Sequence, residues 1–153
     1  RSNTMSNLLV QNIKHTNNTT SMSVDSSGQV SVRGEGSATT TNLQQGLAKS
    51  WQDLNGETFG SRDSLNVSGN TDHATGEYTN SYTNSMASAN YHFSGYCGDP
   101  GAKIGNLHIS DNPSDAKQAS STRYVTAFVS NTTGSGTAFD TEHTFLVVHG
   151  DLA

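Results

Sequence analysis

An antiparallel β-sandwich preceded by a short N-terminal β-hairpin unit is the fold this sequence predicts, on three observations. Of its 153 residues 31% are hydrophobic and 14% charged, there are 15 Gly, and Ser, Thr and Asn are abundant. That balance suits strands and tight turns better than amphipathic helices. Short stretches with apolar residues at alternate positions recur at intervals of about ten residues, separated by Gly, Asn, Asp and Pro, which is the pattern of a sandwich or barrel-like sheet pair. Leu, Ile, Val and Phe are scarce, yet the net charge is only −5 and β-branched and aromatic residues recur in alternation, so the chain reads as folded with a thin core.

Taken in order, Met5-Ser6-Asn7 reads as a natural start, with residues 1–4 either a preceding linker or a cloning remnant. Residues 8–13 read as a first short strand, and 21–32 as two alternating strands around the Ser26-Ser27-Gly28 turn. Residues 1–32 thus form a small β unit. The stretch 33–42 has no periodic apolar face and is rich in Gly, Ser and Thr, as a linker is, and 43–153 is the sandwich domain. Its strands are expected at 48–54, 61–68, 77–85, 91–96, 106–110, 122–130 and 142–149, with a helical turn only around 113–117. Alternation selects a core of Trp51, Leu54, Phe59, Leu65, Val67, Tyr78, Tyr82, Phe93, Leu107, Ile109, Tyr124, Phe128, Phe145 and Val147, leaving Ser, Thr and Asn outside.

Several function classes are disfavoured. One cysteine, Cys97, makes no intrachain disulfide and reads as a small strand residue. No apolar run approaches the roughly 18 residues of a membrane span, and no signal peptide opens the chain. With a pI of about 5.5 and eight scattered Lys and Arg, neither nucleic acid nor membrane insertion is expected. The acidic residues fall mostly in turns, Asp72 and Asp99 at positions where an Asx side chain closes one, so no hydrolase dyad and no enzyme is expected. The six histidines are isolated, with no His-x-His; His108 and His143 are the positions where threefold symmetry would gather one residue three times, and no metal or other cofactor is expected.

The segment from Gly46 to Tyr91 carries a long ordered motif: Ala48, Lys49, Trp51, Asn55 and Gly56, then Arg62, Ser64, Asn66, Val67 and Ser68, then Thr71, Asp72, Thr75, Gly76, Tyr78 and Thr79, closing on Met86, Ala89, Asn90 and Tyr91. This series resembles a module near the C-termini of tailed-bacteriophage tail fibres, of the marine-phage-like kind. Gln52-Asp53-Leu54 departs from the family's apolar-aromatic continuation after the Trp. The opening, Leu8, Val10 and Ile13 followed by Ser21, Val24, Asp25, Ser26, Ser27, Gly28 and Val30, resembles the assembly or attachment segments that begin phage fibre proteins.

The resemblance implies a virion structural protein, made in the bacterial cytoplasm and carried on the extracellular particle. Its role would be that of a tail fibre or tail-tip adhesin binding a host surface polysaccharide or outer-membrane receptor without covalent chemistry. The N-terminal segment would contact other virion proteins, and the thin core motivates a homotrimer. A capsid decoration or head-fibre protein is the alternative, and a polysaccharide-degrading tail enzyme the second. Recognition in such a tip is expected in loops. One loop offers Tyr96, Asp99 and Lys103, and the other, 131–140, offers Asn131 and an exposed aromatic, Phe139; Trp51 and Asn66 read as scaffold.

Overall fold

A computed structural model of the chain describes residues 10–33, 40–98, 106–111, 117–129 and 136–153. The protein is all-β, built from antiparallel sheets, and divides into two units, Arg1–Leu47 and Ala48–Ala153.

In the first unit β1 (Asn12–Lys14), β2 (Thr20–Val24), β3 (Val30–Arg33) and β4 (Thr40–Asn42) form a meander, followed by one helical turn, α1 (Leu43–Gly46). Local turn chemistry sets it up. Asn18 takes the left-handed conformation that Asn tolerates, at φ 68°. Asp25 closes the β2–β3 turn by accepting hydrogen bonds from the Ser27 and Gln29 backbone N–H groups at 2.8 and 2.9 Å, with Gly28 at φ 78°. Pairing puts Ile13, Met22 and Val32 in one row and Asn12, Ser23, Ser31 and Asn42 in the next, so the sheet has one apolar and one polar face. The linker expected over 33–42 is shorter than the sequence suggests, because Arg33 ends β3 and residues 40–42 pair with it as β4. Residues 34–39 lie outside the described residues.

The second unit is a β-sandwich. One sheet runs β6 (Gly60–Leu65), β5 (Ser50–Asn55), β14 (His143–His149), β9 (His92–Gly98). The other runs β10 (Asn106–Asp111), β12 (Ser121–Val129), β8 (Glu77–Tyr82), β7 (Val67–Ala74), and β11 (Lys117–Gln118) and β13 (Gly136–Ala138) also pair with β12. The strand expected over 61–68 is really two. Asn66 breaks it at φ 59°, sending β6 to one sheet and β7 to the other. Its Nδ2 donates to the carbonyls of Lys49 and Asn84, both at 3.0 Å, and its Oδ1 accepts from the Asn84 N–H at 2.7 Å. Asp72 lies inside β7 opposite Tyr78 and not in a tight turn; the turn comes at Gly76, φ 69°, where a Cβ would lie 2.5 Å from the Thr126 carbonyl.

Two small clusters fill the layer: Leu54, Tyr78, Tyr124 and Leu146 form one, and Tyr82, Met86, Tyr91 and Val148 the other, with Phe93 packed against both. Tyrosines dominate, so the core carries hydroxyls that need partners. Tyr78 donates to Asp140 Oδ1 at 2.5 Å, and the same oxygen accepts the Gly76 N–H at 2.6 Å. The Tyr91 hydroxyl lies 2.8 Å from the Ser121 carbonyl and 2.6 Å from Thr122 Oγ1, which also pairs with the Tyr82 hydroxyl. Tyr124 donates to Asn80 Oδ1 at 3.2 Å.

The structure buries four of the twelve expected core residues whose side chains it describes. Leu54, Tyr78, Tyr82 and Tyr124 are buried, but Trp51, Phe59, Leu65 and Phe145 are 36, 38, 48 and 41% exposed. Val67, Phe93, Phe128 and Val147 are half-buried, and the side chains of Leu107 and Ile109 lie outside the described residues. The reason is register. Thr144 pairs with Leu54 and Leu146 with Gln52, so Ser50, Gln52, Leu54, Thr144, Leu146 and Val148 face inward and their odd-numbered neighbours outward.

Burial raises the pKa of Tyr78, Tyr82 and Tyr124 well above the ordinary phenol value, and for Tyr78 the hydrogen bond to the Asp140 carboxylate adds to it. In an alkaline titration followed by tyrosinate absorbance, three of the five tyrosines stay protonated past the usual value of about 10 and ionise only as the protein unfolds. The unfolded chain gives up these protons first, so stability falls as pH rises above about 10. Five tyrosines titrating freely would contradict this. At Gly56 a Cβ would overlap the Tyr78 hydroxyl and lie 2.9 Å from the Thr141 carbonyl, while at Gly60 it meets nothing. Urea denaturation is expected to show Gly56→Ala less stable by at least about 2 kcal/mol and Gly60→Ala nearly unchanged.

Candidate functional site

The two sheets differ on their outer faces. On the β8–β12 sheet the outward residues are mixed: Glu77, Thr79, Ser81, Ser121 and Arg123 are polar, with Arg123 Nη2 ion-paired to Glu77 Oε1 at 2.8 Å, and Val125 and Ala127 are small and apolar. On the β5–β14 sheet they combine large aromatic and aliphatic groups with carboxylates. One row across the four strands is Leu65, Trp51, Val147 and Ser94; the next is Asp63, Asp53, Phe145 and Tyr96. Directly opposite residues in antiparallel strands share a face, so these side chains form one surface.

Neighbouring rings on it lie nearly parallel to one another. Tyr96 and Phe145 have centroids 6.4 Å apart at 25°, and His143 and Phe145 are 5.7 Å apart at 2°. Gly98 makes the Tyr96 pose possible: a Cβ there would sit 2.9 Å from Tyr96 Cε1, so any side chain would lift the ring. Trp51 and Tyr96 stand on opposite sides of an open groove of about 430 Å³, with Ser94, Gly95, Phe145 and Val147 among its lining. That volume lies within the range of about 300–1,000 Å³ for small-molecule sites.

A charged cluster borders the rings. The register shift between Asp53 and Leu54 leaves Arg62 as the extra residue of a bulge, which aims its side chain along the face. Its Nη1 donates to the Glu142 carbonyl and to His143 Nδ1, the latter at 3.1 Å. Asp53 Oδ1 and Glu142 Oε1 each lie 3.5 Å from the guanidinium. By accepting on Nδ1, His143 keeps its ring proton on Nε2, 3.8 Å from Glu142 Oε1. With Asp63 alongside, three carboxylates oppose one guanidinium.

Of the residues that the sequence proposes for recognition, Tyr96 is 64% exposed and stands on β9 in this face, not in a loop. Asp99, Lys103 and Asn131 lie outside the described residues. Phe139 is half-buried and not the exposed aromatic expected of a loop tip. Its N–H donates to the Thr126 carbonyl at 3.1 Å and its carbonyl accepts the Thr126 hydroxyl at 2.7 Å, because β13 carries residues 136–138 onto β12. Tyr96 and Phe139 therefore serve different sheets. Trp51, read as scaffold, belongs to the exposed face, whereas Asn66 holds the β6–β7 corner. His143 stacks in the face, and the side chain of His108 lies outside the described residues.

Sequence reasoning missed Trp51, Phe145, Val147 and the Arg62 cluster. One signal for them was present: residues 145–148 are apolar at both parities, so β14 has apolar side chains on both of its faces, and one of those faces is outside the sandwich. Cys97 is buried beside Tyr96, and burial pushes its thiol up to about 11, away from thiolate chemistry. Among the described residues no group of three or more His, Cys, Asp and Glu is arranged to hold a metal ion, and no helix is long and apolar enough to cross a membrane.

Comparison with family models, curated proteins and solved structures returns no match for this chain.

An exposed aromatic face that contributes little to folding is expected to show it under urea. Tyr96→Ala and Phe145→Ala should each cost no more than about 1 kcal/mol, the scale of a cross-strand pair, against about 2–5 kcal/mol for the inward Leu146→Ala. Equal losses at Phe145 and Leu146 would mean that the face is part of the core.

Proposed function

We propose that this chain is a non-catalytic attachment protein of a tailed-phage virion, a tail fibre or tail-tip adhesin that contacts the host surface through the outer face of the β5–β14 sheet. The observation that carries the reading is the exposed aromatic cluster of Trp51, Phe145 and Tyr96 on three neighbouring strands of one sheet. Exposed apolar patches of this kind are recognition surfaces in soluble proteins. The resemblance of residues 46–91 to fibre modules supplies the virion context.

The carboxylates nearest the face support binding over covalent chemistry. Asp53 and Glu142 are both held by Arg62, and Asp140 holds Tyr78 and Gly76. Neither the Asp53 and Glu142 pair nor Asp140 thereby offers a free acid and base to a glycosidic bond. In this reading the first unit is the attachment segment toward other virion proteins. Among its described residues none is buried, and Ile13 is 50% exposed on the apolar side of the meander, so a second layer would complete it. Capsid decoration is the competing role, since the same apolar meander would serve on a head as well as on a tail.

Light scattering on the purified full chain is expected to give three times the 16.2 kDa chain mass, and the chain should block adsorption of the particle that carries it. Antibody labelling of intact particles should then mark the tail. Label on the capsid alone would replace the adhesin with the decoration protein.

A further inference from the structure

Resting on the reading of the outer β5–β14 face as a ligand surface, we infer that this face is a site for uncharged hexopyranose units of a polysaccharide. The ring of such a sugar stacks in the groove between Trp51 and Tyr96. A pyranose with equatorial hydroxyls presents flat faces of axial C–H groups and a rim of hydroxyls. Aromatic faces take the former and carboxylates take the latter.

Both halves are in place. Phe145 and Tyr96 lie nearly parallel along the sheet, and Trp51 lines the opposite side of the groove. Ser94 and Gly95 keep the lining between them small, which leaves room for a ring, and the Ser94 hydroxyl offers a donor and an acceptor. At the border, Asp53 and Glu142 are already oriented by Arg62, and each carboxylate keeps acceptor capacity for sugar hydroxyls beyond its contact with the guanidinium.

Charge decides the class of sugar. Asp53, Asp63 and Glu142 outnumber Arg62 around the rings, and the whole chain carries a net charge of −5. A uronic acid or another acidic sugar would bring a further carboxylate into this field and be repelled, whereas a neutral one meets only acceptors it can satisfy. A second copy of the chain laid on the face would bury the Asp53, Asp63 and Arg62 charges along with the rings, at a desolvation cost that a hydroxylated ligand does not impose.

Trp51 is the single tryptophan, so its emission reports on this groove alone. Titration of the full chain with cellohexaose and with mannohexaose is expected to give a saturable change in Trp51 fluorescence with at least one of them. Phe145→Ala, its fold checked by the alkaline tyrosine titration, should weaken that response at least tenfold, and hexagalacturonate should leave the emission unchanged. Silence with both neutral hexamers, or an equal response to hexagalacturonate, overturns the assignment. So does emission that shifts with protein concentration alone, in step with a rise in molar mass that Phe145→Ala abolishes, since a second copy would then be the occupant. Sugar binding by a chain that does not label cells adsorbing the particle leaves the site standing and removes the adhesin. Cell labelling that Phe145→Ala leaves unchanged does the reverse.

Discussion

A buried phenol must hand its proton to an acceptor, and this sandwich is organised around that requirement. Tyr78 is wholly buried, and the acceptor it finds, Asp140, lies 62 residues further along the chain. The same carboxylate oxygen fixes the Gly76 N–H, so one acidic side chain ties the β7–β8 turn to the segment entering β14. Gly56 packs against that junction as well, its N–H donating to the Thr141 carbonyl at 2.8 Å. A core with few large aliphatic groups gains definition this way. Each hydroxyl is satisfied in only one arrangement, and an unsatisfied one is expensive. Gln52 shows the limit: its Nε2 donates to Ser61 Oγ at 3.0 Å, but its Oε1 is buried without a partner among the described residues.

Fold class and most strand positions were legible, because turn residues punctuate alternating segments and because Asp25, Gly28 and Gly76 have strong local reasons to turn. What was not legible has physical causes. Residues 67–74 have little intrinsic strand preference, and β7 exists because β8 pairs with it along its length. The break at Asn66 depends on a side chain bonding to Lys49 and Asn84, which sequence spacing does not reveal. Phe139 looked exposed because Gly and Ser precede it, yet those residues end in a strand docked on β12.

The face was missed for a different reason. Hydrophobicity argues that Trp51 and Phe145 go inside, and the pairing of Thr144 with Leu54 and of Leu146 with Gln52 overrides it. Loops are the usual place to look for recognition, but a sheet holds side chains in fixed spacing, which suits a rigid, repetitive ligand better than a mobile tip does. Gly98, Arg62 and His143 are the supporting cast: the first leaves room for the Tyr96 ring, the second gathers the carboxylates, and the third extends the stack beyond Phe145.

Strand β14 therefore answers to two demands that never meet in the same residue. Its even-numbered side chains, Thr144, Leu146 and Val148, close the inner layer, and its odd-numbered ones, Phe145 and Val147, face outward. A strand divided in this manner separates durability from specificity. Substitution at 51, 94, 96, 145 and 147 would therefore change the chemistry of the outer surface while the residues that close the inner layer keep their places.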